Sequence, residues 1–393
     1  MKTSARAQAA TTIIRVLDHG AYSNLVVRNA TVLPETDHGF FQRLVYTTLR
    51  YLPYIDGLID GFASRTVATM DPTVRSVLRV GVAEIAYLGT QDYASVHEAV
   101  ETVRVLGKAK ASGFVNAVLR KVVASAPTPT GSVAESYPEP IHKLVTDALG
   151  PDEGDRFLQA SNAPAPVGIR FRERTLPASA RYAHADEDVA ALEAAGTVDV
   201  IDPASASVVA ALHPQAGERI VDLAAAPGGK TRAIADAVGG SGRVVGVDIH
   251  QRRLRDASVR SAKLPSISWM VGDAGAPPLA PESFDRVLLD APCTGLGTMR
   301  RRPEIRYRIE PDAPQRYGDL QQRLLASAMT LVAPGGCIVY SVCTVTAPET
   351  TAVIDGLGFM PPTDVEGERH GDGLLLAPHI TGTDGMFIAV KDL

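Results

Sequence analysis

Cysteine is scarce: Cys293, Cys337 and Cys343 are the only three in 393 residues. Three thiols cannot make a disulfide framework, and none stands at metal-ligand spacing with a histidine pair, so a reducing compartment and no metal are expected. Long apolar runs are missing too. The opening MKTSARAQAATTIIRVL has neither an extended hydrophobic stretch nor a small-residue cleavage site after one, which predicts a cytoplasmic protein with no membrane partner. Charge of one sign is also lacking. A formal net charge of -5 argues against a chain that coats nucleic acid indiscriminately.

What is present is ordinary for a soluble globular protein: 45% hydrophobic, 21% charged and 5% aromatic residues. The length exceeds what one hydrophobic core usually supports, so two or three domains are expected. Charge is unevenly laid out, with 14 Lys+Arg against 10 Asp+Glu up to Ser125 and 25 against 34 after it. The basic front end suits phosphate, although helices with solvated arginine faces would give the same balance.

From Ser4 to about Ala124 the apolar residues recur at helical spacing. Asp71-Pro72 places a capping carboxylate before a proline at the first helical position. Ser95 to Glu98 has the spacing of a capping box, and Ser112 to Lys121 continues as another amphipathic helix. Residues 1–125 therefore form an all-α domain. Residues 126–140, within SAPTPTGSVAESYPEP, are rich in proline and small polar residues and predict a linker. Residues 141–197, with two short helices and a strand at Val167 to Arg172, form a small α/β subdomain. From 198 to 393 short buried strands (ERIVDL, RVVGVDI, ISWMV, FDRVLLD, GCIVYSV, GMFIAV) alternate with helices. That pattern calls for a Rossmann-like α/β domain with a mostly parallel sheet.

The strand ERIVDL runs into a turn of small residues, Ala224, Ala225, Ala226, Pro227, Gly228 and Gly229, followed by Lys230 and a helix. Such a turn lets backbone amides approach a ligand. The next strand ends in Asp248, where a carboxylate can accept both hydroxyls of a ribose, and the third ends at Asp273, placed for an adenine amino group. A phosphate loop is the competing reading, but Ala224 stands where its first glycine belongs. Three such strand ends in succession favour a nucleoside cofactor.

FDRVLLD ends in Asp290-Ala-Pro-Cys293 and GCIVYSV ends in Cys343, so both cysteines emerge on the cofactor's edge of the sheet, whereas Cys337 lies inside its strand and is assigned to packing. Two thiols at a donor site suit methylation at carbon 5 of cytosine. That carbon is a poor nucleophile until a thiolate adds to carbon 6. Asp290 is placed to hold or protonate ring N3 and the exocyclic amine, and Cys293 to assist release of the adduct. Directly after this loop, Arg300, Arg301, Arg302, Arg306 and Tyr307 fall within RRRPEIRYR, expected to clamp phosphate and stack on bases.

The combination DLAAAPGGKT, VVGVDI, GDA, DAPCTGLG, YSVCT and GTDGMFIAV resembles the Sun-type RNA cytosine-C5 methyltransferases. AYSNLVVRNA, RLVYTTLRYLPYID, SVHEAVETV and GFVNAVLRKV look like the NusB-like helical domain fused to the bacterial small-subunit rRNA members. The resemblance implies S-adenosyl-L-methionine as cofactor, held by Ala224 to Lys230, Asp248, Asp273 and Asp290. It further implies Asp290 facing the target base, Cys343 as nucleophile, Cys293 as the release residue, and 16S ribosomal RNA or a partly assembled small subunit as partner. Two positions depart from the family: Ala224 replaces its usual cysteine, and Ile201 stands where a glutamine is common. A DNA reading would make Cys293 the attacking thiol. Transfer RNA as substrate, or an RNA-binding assembly factor that keeps its cofactor for structure, are the remaining alternatives. The target base has to be unstacked, so a single-stranded or locally melted site is expected.

Overall fold

The computed structural model describes residues 4–30, 33–172 and 180–393; residues 173–179, part of the expected small subdomain, lie outside the described residues, as do 1–3 and 31–32. The chain divides into two compact units, Met1–Leu144 with Met299–Ile309, and Val145–Thr298 with Glu310–Leu393. Among the described residues no helix is long and apolar enough to cross a membrane.

The first unit is helical. Its longer helices, Ala5–Leu17, Glu35–Arg50, Leu52–Phe62, Pro72–Tyr87, Asp92–Val105 and Ser112–Ala124, turn their apolar stripes onto a core that includes Ile13, Phe41, Leu44, Leu49, Ile55, Leu78 and Leu119. Asp71 caps Pro72–Tyr87 as expected, its Oδ1 accepting from Thr73 N at 2.9 Å. The helix Asp92–Val105 begins three residues before the expected capping box. Ser95 is inside it, with its hydroxyl turned back to Gln91 O at 3.4 Å. Glu84 is fully buried and takes a bidentate pair from Arg6, Nε at 2.8 Å and a terminal nitrogen at 2.6 Å, the geometry in which a buried carboxylate is tolerable.

The proline-rich stretch 126–140 is more than a linker: it contains the short helix Val133–Ser136 and buries Tyr137, and the first unit extends to Leu144. The arginine-rich segment also belongs to this unit, and its side chains serve helix ends. Tyr307 OH donates to Leu49 O at 2.7 Å, and the Arg306 guanidinium donates to Arg50 O at 3.1 Å, the last carbonyls of Glu35–Arg50. Arg308 donates to Val16 O at 2.7 Å and Ala21 O at 2.6 Å, at the end of Ala5–Leu17. Glu304 does the opposite. Its carboxylate accepts from Ser23 N at 3.0 Å and Ser23 Oγ at 2.6 Å, at the start of Ser23–Arg28. Cations thus meet helix C-termini and an anion meets an N-terminus, as the helix dipole favours.

Because Glu304 is fully buried, Glu304→Ala strands the Ser23 amide and hydroxyl without an acceptor. Urea denaturation followed by helical circular dichroism is expected to show a loss of about 2 to 3 kcal/mol. A change below about 0.5 kcal/mol would mean that water replaces the carboxylate at no cost.

In the second unit, β1 (Gly168–Phe171), β2 (Ala180–Tyr182) and β3 (Val198–Val200) form a small antiparallel sheet in the order β2-β1-β3. Residues 198–200, expected to open the large domain, therefore pair with the small one. The large sheet contains β4 (Arg219–Asp222), β5 (Arg243–Asp248), β6 (Ile267–Val271), β7 (Phe284–Asp290), β8 (Val332–Val342), β9 (Glu368–His370), β10 (Gly373–Leu376) and β11 (Met386–Asp392). Its order is β6-β5-β4-β7-β8-β11-β10-β9, with β6 through β8 parallel and the remainder antiparallel. Side chains alternate across it: Val287, Leu289, Ile338 and Tyr340 enter one core, Leu288 and Val339 the other. Burial on both faces explains why the parallel strands read as nearly unbroken apolar runs. Order reverses at β4, whose neighbours are β5 and β7, and open α/β sheets bind ligands outside the carboxyl ends of strands at such a point.

Candidate active site

At the carboxyl end of β4 the chain turns through residues 223–228 into the helix Gly229–Val238. Gly228 has φ +94°, and a Cβ there would meet Ala257 Cβ and Trp269 at 3.1 Å, so the turn admits only glycine. Arg253 and Arg260, on the helix Gln251–Arg260, donate to Ala226 O at 2.5 Å and Pro227 O at 2.7 Å and brace the turn's carbonyls. Asp248 is buried at the end of β5; one carboxylate oxygen accepts from Ala226 N at 3.0 Å and the other from His250 N at 2.8 Å. Asp273, beyond β6, is exposed and accepts from Gly275 N at 2.8 Å. Ala224 to Lys230, Asp248 and Asp273 thus lie beyond three adjacent strands, β4, β5 and β6.

Asp222, which sequence reasoning did not single out, ends β4 in full burial. Thr231 Oγ1 donates to its Oδ2 at 2.7 Å, while Oδ1 has no hydrogen-bond partner. Burial pushes the carboxyl's pKa up to about 7, against the pull of the Thr231 hydrogen bond. A buried oxygen lacking a donor fits a ligand that brings a cation or an N–H group.

Lys230 and Asp290 meet across the site, Nζ to Oδ2 at 2.7 Å, and Ser341 Oγ donates to Asp290 Oδ1 at 2.8 Å. The register of β7 with β8, which pairs Asp290 with Ser341, sets this contact. Burial lowers the Lys230 pKa, but Asp290 and the Cys343 sulfur outweigh it and leave the ammonium raised and charged.

The two strand-end cysteines come together, with Cys293 Sγ 3.3 Å from Cys343 Sγ and both half-buried. The hydrogen bond to Cys343, followed by burial and the charges of Cys343, Glu349 and Asp290, holds the Cys293 pKa well above that of an ordinary thiol. Cys337 is buried in β8 and sits 3.2 Å from Arg286, away from this pair. Behind the cysteines the backbone is tightly packed: Gly297 N donates to Cys343 O at 2.9 Å, and Gly385 N donates to Gly297 O at 2.8 Å.

The arginine segment is corrected in part. Arg306 is 1% exposed, lies 3.9 Å from the centre of the Tyr137 ring and donates to backbone carbonyls. Arg300 is buried as well, and Tyr307 gives its hydroxyl to Leu49. A buried guanidinium already bonded to carbonyls cannot clamp a phosphate. Arg301 and Arg302 are half-buried.

The 16S rRNA methyltransferase RsmB/F family model matches residues 209–391, and the NusB family model matches residues 3–124. Ribosomal RNA small subunit methyltransferase B of Thermus thermophilus is 33% identical over 362 residues, 89% of this chain and 86% of that protein. The probable ribosomal RNA small subunit methyltransferase B of Bacillus subtilis is 28% identical and covers 98% of both chains. In fold, the crystal structure of PH0851 matches 99% of this chain and 97% of its own with a TM-score of 0.82 at 24% identity. With a relative this similar over most of its length, the two-thiol site and the front helices have one common explanation: the chain belongs to the RsmB/F family of S-adenosyl-L-methionine-dependent 16S rRNA methyltransferases that carry a NusB domain.

Proposed function

We propose that the protein methylates carbon 5 of a cytosine in small-subunit ribosomal RNA through a covalent adduct on Cys343. The observation that carries this reading is the pair of thiols 3.3 Å apart beside the Lys230–Asp290 pair. S-adenosyl-L-methionine, when bound, supplies an electrophilic methyl on a sulfonium. The residues that fit it are the glycine turn at Gly228, the carboxylate of Asp248, and Asp222 Oδ1, whose missing partner suits the donor's ammonium.

In this reading the Cys343 thiolate faces the charged Lys230 and adds to carbon 6, and the electron pair displaced from the ring double bond makes carbon 5 nucleophilic. Asp290, which accepts from Lys230 Nζ and Ser341 Oγ, holds the exocyclic amine of the base. Cys293 meanwhile stays protonated, because the Cys343 sulfur is the first cause of its raised pKa. Once Cys343 is bonded to the ring, that hydrogen bond and that like charge are gone. With the first of its causes removed the Cys293 pKa falls, although burial and the charges of Glu349 and Asp290 still act on it, and the thiolate formed as its proton passes to water takes the carbon-5 proton. The ring double bond re-forms as the Cys343 sulfur leaves. A base able to reach two thiols has to be out of its stack, so a single-stranded or melted site is the substrate. Arg301 and Arg302, both half-buried, are the members of the basic segment assigned to RNA contact.

Small-subunit RNA and, separately, transfer RNA, each made with tritium at cytosine carbon 5 and incubated with purified protein and carbon-labelled donor, test both halves of the proposal. Tritium release in step with methyl incorporation is expected. Incorporation with tritium retained would place the methyl on another atom, and labelling confined to transfer RNA would assign the other substrate.

A further inference from the structure

The turns that carry the two thiols follow different strands, yet both are tied to one buried side chain. Glu349 is fully buried. Its Oε1 accepts from Thr294 N at 2.7 Å, and its Oε2 accepts from Thr294 Oγ1 and Thr346 Oγ1 at 2.7 Å each and from Thr344 Oγ1 at 3.3 Å. Thr294 follows Cys293 and Thr344 follows Cys343, and the two threonine hydroxyls are 2.8 Å apart. Gln321 Nε2, on the helix Ala313–Met329, reaches Pro292 O at 2.8 Å and so steadies the residue before Cys293. Tyr340 OH donates to the Glu349 carbonyl at 2.7 Å, which fixes the carboxylate's own backbone.

We propose that Glu349 is a positioning residue that sets the separation of the two thiols by clamping both cysteine-bearing turns to one carboxylate. Its carboxylate bonds the threonines next to the two cysteines, adds its charge to those that hold the Cys293 pKa up, and takes no part in bond making. The clamp spans 55 residues, from Thr294 to Glu349, and an uncompensated carboxylate at that depth persists only because several donors converge on it. An amide can do the same work in part. Glutamine keeps one oxygen for the Thr294 N–H, and the hydroxyls of Thr344 and Thr346 can rotate to accept from its amino group. Alanine leaves both turns untethered.

The inference rests on the two-thiol chemistry proposed above, so its test has one arm that needs no RNA. Diamide takes up the two hydrogens as one thiolate adds to its azo bond and the second thiol displaces the hydrazine to close a disulfide. The rate in the full-length protein without RNA, followed across pH so that thiolate population is separated out, reports how often the sulfurs meet. Glu349→Ala is expected to slow this closure at least about tenfold and to lower kcat for methyl transfer about 100-fold with donor KM unchanged, whereas Glu349→Gln stays within about fivefold of the parent in both. Parent-like closure and kcat in Glu349→Ala would overturn the clamp, as would equal losses in the alanine and glutamine variants. If Glu349→Ala fails to bind donor or to fold, Thr344→Val keeps the side-chain volume and removes one arm. It is expected to lower kcat about tenfold at unchanged KM, and an unchanged kcat overturns the proposal. A parent protein that transfers no methyl, with closure rates still ordered as expected, leaves the clamp standing and refutes the cytosine reading instead.

Discussion

Cys343→Ala is expected to lower methyl transfer by about four orders of magnitude or more, since loss of the covalent nucleophile proposed above cannot be made up by the groups around it. Donor binding, measured by equilibrium dialysis, should stay within about twofold, because the residues proposed to hold the donor, at the Gly228 turn, Asp248 and Asp222, are untouched. Cys293→Ala is the informative counterpart. Addition to carbon 6 and methylation still proceed, but no thiol remains 3.3 Å from the attacking sulfur to take the carbon-5 proton. Protein and RNA should then migrate together on denaturing gels, and the adduct should form only with donor present. An adduct that instead accumulates with Cys343→Ala would exchange the two roles, and with them the reading that Cys343 suppresses ionisation of Cys293 until the ring is engaged.

Gly297→Ala is expected to have the next largest effect. A Cβ at Gly297 would lie 2.2 Å from Gly385 O and 2.7 Å from Gly385 C, and the obstacle is backbone that cannot rotate away. Relief has to come from separating the Cys293 loop from the Gly385 loop, which breaks the Gly385 N to Gly297 O bond and shifts Gly297 N from the Cys343 carbonyl. The expected cost is about 3 kcal/mol in denaturant unfolding and about 100-fold in single-turnover methyl transfer, the usual consequence of displacing a reacting group by an ångström. Gly240→Ala is the control. A Cβ there meets nothing within 4 Å and the residue needs no left-handed backbone, so a change within about 0.5 kcal/mol is expected. Equal effects at the two glycines would show that the close approach at Gly297 is slack.

The parts of this fold that were legible beforehand are those written in short windows. The six strands expected for the large domain are β4, β5, β6, β7, β8 and β11, each a buried apolar run bounded by turn residues. The turn proposed to hold the donor and both strand-end thiols follow from them, because a parallel sheet brings its carboxyl ends to one edge. The strands β9 and β10 were not legible. ERH has no apolar residue, and GLLL has no alternation to set it apart from a buried loop. Glu349 was invisible for another reason: its donors are Thr294, Thr344 and Thr346, residues of ordinary composition that only the fold assembles. Misreading Arg300, Arg306 and Tyr307 has the same root. Clustered arginines have a single local signature whether they face phosphate or the carbonyls at a helix end, and the helix ends in question, near Val16 and Arg50, lie 292 and 256 residues away along the chain. Ser95 shows that a four-residue motif yields to the helix already running through it.

The strap at Met299–Ile309 has a consequence for dissecting the protein. The helical unit is not a prefix of the chain, because its last piece is encoded inside the catalytic half. A fragment ended after Leu144 keeps every long helix yet loses the carboxylate that starts Ser23–Arg28 and the guanidinium and phenol groups that finish Glu35–Arg50. The catalytic fragment left behind displays two buried arginines, a buried glutamate and Ile305 to water. Modules drawn from the order of residues would therefore each be incomplete, and a faithful separation has to graft an eleven-residue insert back onto the helices.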